Sequence, residues 1–330
     1  MGAIQSLFEE STAQSAFVFI KPHANTPQVR ALCMSKFAEA GISVLGDGEI
    51  TGPEIDSQGF IDQHYYAIAS KATILKPKDL NVPLDKFKEN FSEDWPTVLA
   101  EERVFNAIDV QAKLGISPDE LEEKWDKSNK VKFGGGFYCA CIDTDKKIYT
   151  FNAFFMRMRG RFTAPNTSIH YFLVEFEPSI LKWADFRALV LGPTDPAKAP
   201  TGSLRCSIYT EWQTLGLSEV PDTGNNGVHA SASPFEGFAE RVNWLKIPIS
   251  SDPFGSKLLA AGIDGATLKA WTVDPQVLTP GGSGAKKSLF DQLEDMDVKE
   301  CVDTCKAIAT ANDVQVALAP EGRRICVPWL

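Results

Sequence analysis

Residues 16–20 (AFVFI) form an unbroken apolar run of β-branched and aromatic side chains, the pattern of a strand buried on both faces. A polar turn, Lys21-Pro22-His23-Ala24-Asn25, ends the run. Thr26 before Pro27 then predicts a helix N-cap with proline in the first helical position. Val29, Leu32, Cys33 and Phe37 follow at helical spacing, and Gly41 closes the helix. Residues 42–50 predict a second strand, and 55 to about 70 a second helix. The same layout resumes with a strand at 169–176 and a helix at 180–190. From Gly192 to Asn226 the residues are mostly turn-forming, apart from Ser207-Ile208-Tyr209. A loop of that length is usually a functional lid, or disordered. Residues 226–230 predict a short last strand. Ser233-Pro234-Phe235-Glu236 combines a serine cap, a first-position proline and the acidic residue of a capping box. Phe235, Phe238, Ala239, Val242 and Leu245 mark the apolar face of the helix that follows.

The order β-α-β-α-β-α-β-α fits an α+β fold, a ferredoxin-like antiparallel four-stranded sheet covered by helices, with one helix beyond the simple pattern. Residues 16–72 and 160–249 would form that domain, after an N-terminal arm at 1–15. Two regions lie outside it. In the insertion at 73–159, helices are predicted at 96–114 and 118–128, the second opened by the capping box Ser117-Pro118-Asp119-Glu120. After the breaker Gly134-Gly135-Gly136, residues 137–142 and 147–151 suggest a hairpin across Asp143-Thr144-Asp145-Lys146, making the insertion α/β. The C-terminal region at 250–330 reads as a small α/β extension, helical near 254–271 and 297–311 and strand-like at 314–318 and 324–327.

Composition narrows the class. The chain has 330 residues, enough for more than one domain, and 23% of them are charged, as in ordinary folded proteins rather than disordered ones. A net charge of -10 argues against a nucleic-acid partner, although a local basic pocket can still hold a nucleotide. No run approaches the roughly 20 apolar residues that span a bilayer. The N-terminus lacks a basic region leading into a long apolar stretch, so no secretory signal is expected. Seven cysteines and four histidines offer the pairs Cys139/Cys141 and Cys301/Cys305 but no paired CxxC motif. Reduced thiols in a cytoplasmic protein are the better reading than a structural metal. Met1-Gly2-Ala3-Ile4-Gln5-Ser6 matches the N-myristoylation pattern, which also arises by chance. Myristate on Gly2 would give weak, reversible membrane contact, with no basic patch to strengthen it.

The sharpest chemical clue is His229, at the end of a short strand and a few residues before a well-capped helix. A neutral imidazole is a competent nucleophile near neutral pH, and helix-terminal amides tolerate anions. Taken alone, a structural histidine remains the commoner case. Its neighbours change the balance. FVFIKPHANT resembles the strand and lysine turn of nucleoside diphosphate kinases, and QHYYAIA their nucleotide-pocket helix. LGPTDPAKAPTGSLRCSI resembles their glycine- and proline-rich loop, NNGVHASAS the active-histidine segment, and FEGFAERVNWL the helix after it. The five segments occur in the family's order.

The resemblance implies a transferase that moves the terminal phosphate of ATP, or another nucleoside triphosphate, to a nucleoside diphosphate through phospho-His229. Lys21 would contact the transferring phosphate and Tyr65 would help place His229. Thr194 and Arg205 would bind phosphate oxygens, and Asn226 the sugar or phosphate end of the nucleotide. Ser231 and Glu240 would support the histidine. Mg2+ would be held mainly by the nucleotide's phosphates, with no metal site of the protein's own. A further phosphate-binding arginine falls on Ala188 in the ungapped alignment; one inserted residue would assign the role to Arg187. The chain departs from the family at His23 and Ala24, where an acidic residue and a glycine are expected, and at Ala230 and Ala232. Extra residues also lie between Arg205 and Asn226, in a loop that often shapes subunit contacts in the family.

Two other readings stay open. One is a weakly active or inactive nucleotide-binding scaffold, or a structural assembly protein associated with membrane or cytoskeleton, for which the insertion and tail add surface without recognisable chemistry. The other is a phosphocarrier with a different acceptor. Nucleoside di- and triphosphates, and a homo-oligomer or larger protein assembly, are the expected partners.

Overall fold

The structure, a computed structural model, describes residues 12–143, 145–281 and 284–318. The Gly2 motif and the strand expected at 324–327 lie outside these residues. Strand β1 (Gln14–Ile20) is buried at every position, as its apolar run requires. Strand β2 (Ser43–Thr51) follows the helix Pro27–Glu39, whose N-cap is the Thr26 hydroxyl, accepting from the Val29 amide. Strands β3 (Val104–Asn106), β4 (Lys130–Gly134), β5 (Phe137–Asp143) and β6 (Ile148–Phe151) make a separate sheet in the order β3-β6-β5-β4. Strands β7 (Ser168–Phe176) and β8 (Val228–Ala230) return to the first sheet, and β9 (Gln276–Leu278) pairs with β10 (Lys286–Ser288).

The first sheet is antiparallel, in the order β2-β7-β1-β8. Alternation along β1 sends its side chains to two different cores. Val18 and Ile20 join Phe37, Trp183, Phe186 and Ile208 on one face. Phe17 and Phe19 join Ile55, Phe60, Phe162 and Trp244 on the other. Helices therefore cover both faces of a four-stranded antiparallel sheet, an α+β architecture. No helix among the described residues is long and apolar enough to cross a membrane. The six described cysteines are free thiols.

Several elements differ from the sequence expectation. The helix expected at 55–70 is three short helices, Gly52–Gln58, Phe60–His64 and Tyr66–Ala69, because Gly59 takes the left-handed conformation at φ 63° and ends the first. The helix expected at 96–114 is split by β3, whose residues pair in parallel with β6, so sheet pairing overrides local helix preference there. The helix expected at 180–190 starts only at Trp183, whose amide donates to the Asp297 carboxylate, and it passes into the π-wound turn Phe186–Leu191. Residues 314–318 continue the helix Val298–Leu318 instead of forming a strand, since extending an established helix costs far less than starting a new element. The helical stretch near 254–271 is two helices, Pro253–Ala260 and Gly265–Trp271. Ser233 caps the helix Pro234–Leu245 as expected, but the Glu236 carboxylate bonds the Ala232 amide in place of the reciprocal box contact.

The C-terminal region is joined to the sheet by its own core, in which Phe235 and Phe238 pack with Phe254, Leu258, Trp271 and Leu293. A buried ion pair reinforces this join. Arg241 donates to Asp252 through Nε (2.6 Å) and Nη2 (3.0 Å), and its Nη1 donates to the Ser15 carbonyl of β1 (2.8 Å). Asp252 Oδ1 also accepts the Phe254 and Gly255 amides, which caps the next helix. Removing one partner strands a charge in a site where Arg241 is only 2% exposed. Asp252→Ala is therefore expected to cost about 3–5 kcal/mol, measured as a fall in the urea midpoint; a loss near zero would mean that water replaces the carboxylate.

Candidate active site

The three-residue ladder between β8 and β1 sets His229 opposite Phe19. The imidazole stacks on the Phe19 ring at 4.7 Å between centroids, and the His64 ring meets its edge at 4.6 Å. His229 Nε2 lies 2.5 Å from Glu240 Oε1. Ser231 stands on the far side of the carboxyl, with Oγ 2.6 Å from Glu240 Oε2 and 3.0 Å from the Phe17 carbonyl, and it accepts the Phe17 amide at 2.9 Å.

Proton counting orders this network. Burial raises Glu240 to about 8, so it is a neutral acid at neutral pH. The serine hydroxyl has one proton for two acceptors. With the acid proton on Oε2 donating to Ser231 Oγ, and the hydroxyl donating to Phe17 O, every member is satisfied. His229 Nε2–H then donates to Oε1, which leaves the lone pair on Nδ1. No hydrogen bond to Nδ1 is formed among the described residues, and the side chain keeps 16% exposure. Burial, followed by the positive charges of Lys21, Arg205 and Arg187, holds His229 well below its ordinary 6.5. The ring is neutral and nucleophilic, in a field that favours anions.

The cations are placed by different elements. Lys21 follows β1 and is buried, its Nζ donating to the Gly224 carbonyl at 3.3 Å; burial and the nearby Arg205 lower it to about 8. Arg205 sits in the helix Leu204–Thr210 and spends three N–H groups on backbone: Nε and Nη2 on Val228 O, Nη1 on Gly192 O. Arg205 thus holds β8 against the loop while its charge stays near His229. Arg187 opens onto the same cleft from the π turn. Such a turn takes in one residue more than an α turn, and here the Gly192 amide donates to the Arg187 carbonyl at 3.0 Å. Asn226 donates to the Thr194 carbonyl at 3.1 Å, and its Oδ1 is buried without a partner.

Thr194, Arg187, Arg205 and His229 line one cleft of about 660 Å³, a size that suits a small ligand. Lys21 and Asn226 are not among its lining residues, although Asn226 bonds Thr194. Tyr65 makes no hydrogen bond to His229; its ring packs edge-on against His64. The residue from that helix that does meet His229 is His64, one position earlier, which lies 3.5 Å from Glu240 Oε1 and accepts the Trp244 indole N–H. His64 lies within the QHYYAIA segment, a polar side chain close to the apolar Phe60 and Ile61. His23, standing where an acidic residue is expected, accepts the Gly227 amide at Nε2; burial and Lys21 lower it to about 4, so it serves as a neutral acceptor. Glu294 and Asp295, from the C-terminal region, complete the cleft wall and were not legible beforehand.

His64, His229 and Glu240 bring three potential ligand atoms within 4.8 Å of one another. These atoms already bond one another or Trp244, and the three nearby cations oppose a metal ion there. The cationic surroundings suit a phosphate instead.

A scan of protein-family models finds no match to the chain, and a search of curated proteins finds none. Among solved structures it is similar to nucleoside diphosphate kinase from Encephalitozoon cuniculi, at 13% identity over 73% of this chain and 92% of that one, with a TM-score of 0.35. It is also similar to the NDP kinase of Pyrobaculum aerophilum (16% identity, 70% and 95% of the chains, TM-score 0.34) and to that of Aquifex aeolicus (12%, 70% and 94%, TM-score 0.31). The likeness is one of fold, and a divergent one.

Glu240 and His229 shape stability in opposite directions. Between pH 4.5 and about 8 the folded chain keeps a Glu240 proton that the unfolded chain has released, so this stability falls as pH rises and is gone above 8. His229, depressed in the fold, contributes stability above its ordinary 6.5 that is lost as pH falls. From pH 6.5 to 8.5 the glutamate prevails. The wild type is expected to lose stability to urea across that range, and Glu240→Gln, an uncharged mimic of the acid, to lose less. Equal slopes would show that Glu240 is ionised throughout.

Proposed function

We propose that the protein is a phosphotransferase that carries the terminal phosphate of a nucleoside triphosphate to a nucleoside diphosphate through a phosphohistidine at His229. The observation that carries this reading is a neutral histidine whose Nε2 is held by a buried carboxyl while Nδ1 is left to a cleft bordered by cationic side chains. In the first half-reaction the Nδ1 lone pair attacks the terminal phosphorus. The bond from that phosphorus to the bridging oxygen breaks, and the diphosphate leaves. The Nε2 proton is held by Glu240 as charge develops on the ring. In the second, a terminal oxygen of another diphosphate attacks the same phosphorus and the P–N bond breaks, restoring neutral His229.

Lys21 and Arg205 offset the charge on the moving group, and Arg187 is the third cation on hand. Asn226, with its orphaned Oδ1, is the candidate for the sugar hydroxyls or the phosphate end. Tyr65 contributes packing behind His64. Magnesium fits as an ion that arrives with the nucleotide, bound through its phosphates. Glu294 and Asp295, which line the cleft wall along with Glu236, are both paired with Arg187. This same pairing favours the second reading, a weakly active nucleotide-binding scaffold, because it occupies a cation that phosphate would need.

The test is incubation with γ-labelled ATP and magnesium, followed by a different nucleoside diphosphate. Acid-labile label on the protein that passes to the second nucleotide supports the kinase, and His229→Ala should take up none. Lys21→Ala is expected to slow labelling by about 100-fold. A folded protein that binds ATP yet never captures label would establish the scaffold. Capture without onward transfer would mean a phosphocarrier.

A further inference from the structure

The C-terminal region does more to the cleft than wall it. Arg187 Nη1 donates to Asp295 Oδ1 at 2.6 Å and lies 2.7 Å from Glu294 Oε1, so one nitrogen of the guanidinium faces two carboxylates. Nε and Nη2 of the same guanidinium have no hydrogen bond among the described residues, and the side chain is 27% exposed. One positive charge meets two negative ones, so the cleft edge that should attract phosphate is locally acidic.

The acidic segment is held in place at both ends. Leu293, just before it, is fully buried in the C-terminal core. Asp295 adopts the left-handed conformation at φ 63°, and its amide donates to Ala232 O at 2.9 Å, three residues beyond His229. Asp297 accepts the Trp183 amide at 2.9 Å and pairs with Lys182 at 2.8 Å. Trp183 in turn donates its indole N–H to the Ser231 carbonyl. The carboxylates are thus presented on a loop held at both ends, and Arg187 meets them from the turn Phe186–Leu191.

We propose that Glu294 and Asp295 act as a built-in anion that occupies Arg187 and competes with phosphate, so that the C-terminal region autoinhibits the cleft. The inference rests on reading this cleft as a phosphate site. A polyphosphate entering it has to draw Arg187 away from both carboxylates, and a carboxylate is a fair stand-in for a phosphate oxygen at a guanidinium. Whatever relieves the pairing, by moving the 294–297 loop or by neutralising it, would open the site.

The experiment compares the full chain with Glu294→Gln/Asp295→Asn, which keeps the shapes and backbone contacts and removes the two charges. Binding of inorganic pyrophosphate is measured by calorimetry, and His229 labelling by γ-labelled ATP. Pyrophosphate is expected to bind the variant about tenfold tighter, and the gain should vanish when Arg187→Ala is added. If the double variant misfolds, each single variant still leaves one carboxylate and should show part of the gain. Unchanged or weaker affinity, binding by neither protein, or a gain that survives Arg187→Ala would each overturn the clamp. If affinity rises but neither protein forms phosphohistidine, the clamp stands and the kinase reading falls. If the wild type forms phosphohistidine and affinity is unchanged, the reverse holds.

Discussion

The structure depends on β1 being paired along both edges and buried on both faces. A strand in that position has no solvent-facing side, so each of its groups is committed to a neighbour. The aromatic residues Phe17 and Phe19 build one core and offer the surface on which His229 stacks. The Phe17 amide and carbonyl hold Ser231, the Ser15 carbonyl takes Arg241, and the strand ends at Lys21. One buried strand therefore joins the histidine, its supporting network and the anchor of the C-terminal region.

The polar groups near His229 are costly to bury and are almost all satisfied, which is the condition for a rigid site. Glu240 is neutral because it is buried, and it can then donate to Ser231 while accepting from His229. The neighbouring cations are restrained in different ways. Arg205 is fixed by carbonyls, Lys21 by the loop carbonyl of Gly224, and Arg187 by carboxylates from a region remote in sequence. His229 Nδ1 has no hydrogen bond among the described residues, and the C-terminal region reaches the wall of the cleft that His229 lines through Glu294 and Asp295.

Some of this could be read in the amino acids alone because the cause is local. Thr26, Ser117 and Ser233 cap helices because a hydroxyl three residues before a free amide needs nothing else. The strand cores of β1 and β7 follow from their apolar runs, and the hairpin of β5 and β6 from two such runs across a polar turn. His229, Ser231 and Glu240 were singled out from the residues and the resemblance, and they do meet. Tyr65 was named where His64 makes the contact, since the three short helices from Gly52 to Ala69 rotate the faces away from those of a single regular helix.

What the sequence by itself determined was the set of elements with strong local signals, the α+β class, and the identity of the polar residues beside the histidine. Tertiary structure alone decided which nitrogen of His229 is engaged, because that depends on a short ladder bringing β8 onto β1. It decided that 104–106 is a strand rather than part of a helix, through pairing with residues more than forty positions away. It decided that Arg187 reaches the cleft, by a π turn no propensity announces, and that it arrives already paired with Glu294 and Asp295. The physical reason is common to all of these. Local preferences amount to tenths of a kcal/mol per residue, whereas burial, strand pairing and charge pairing join positions that only the folded chain makes neighbours.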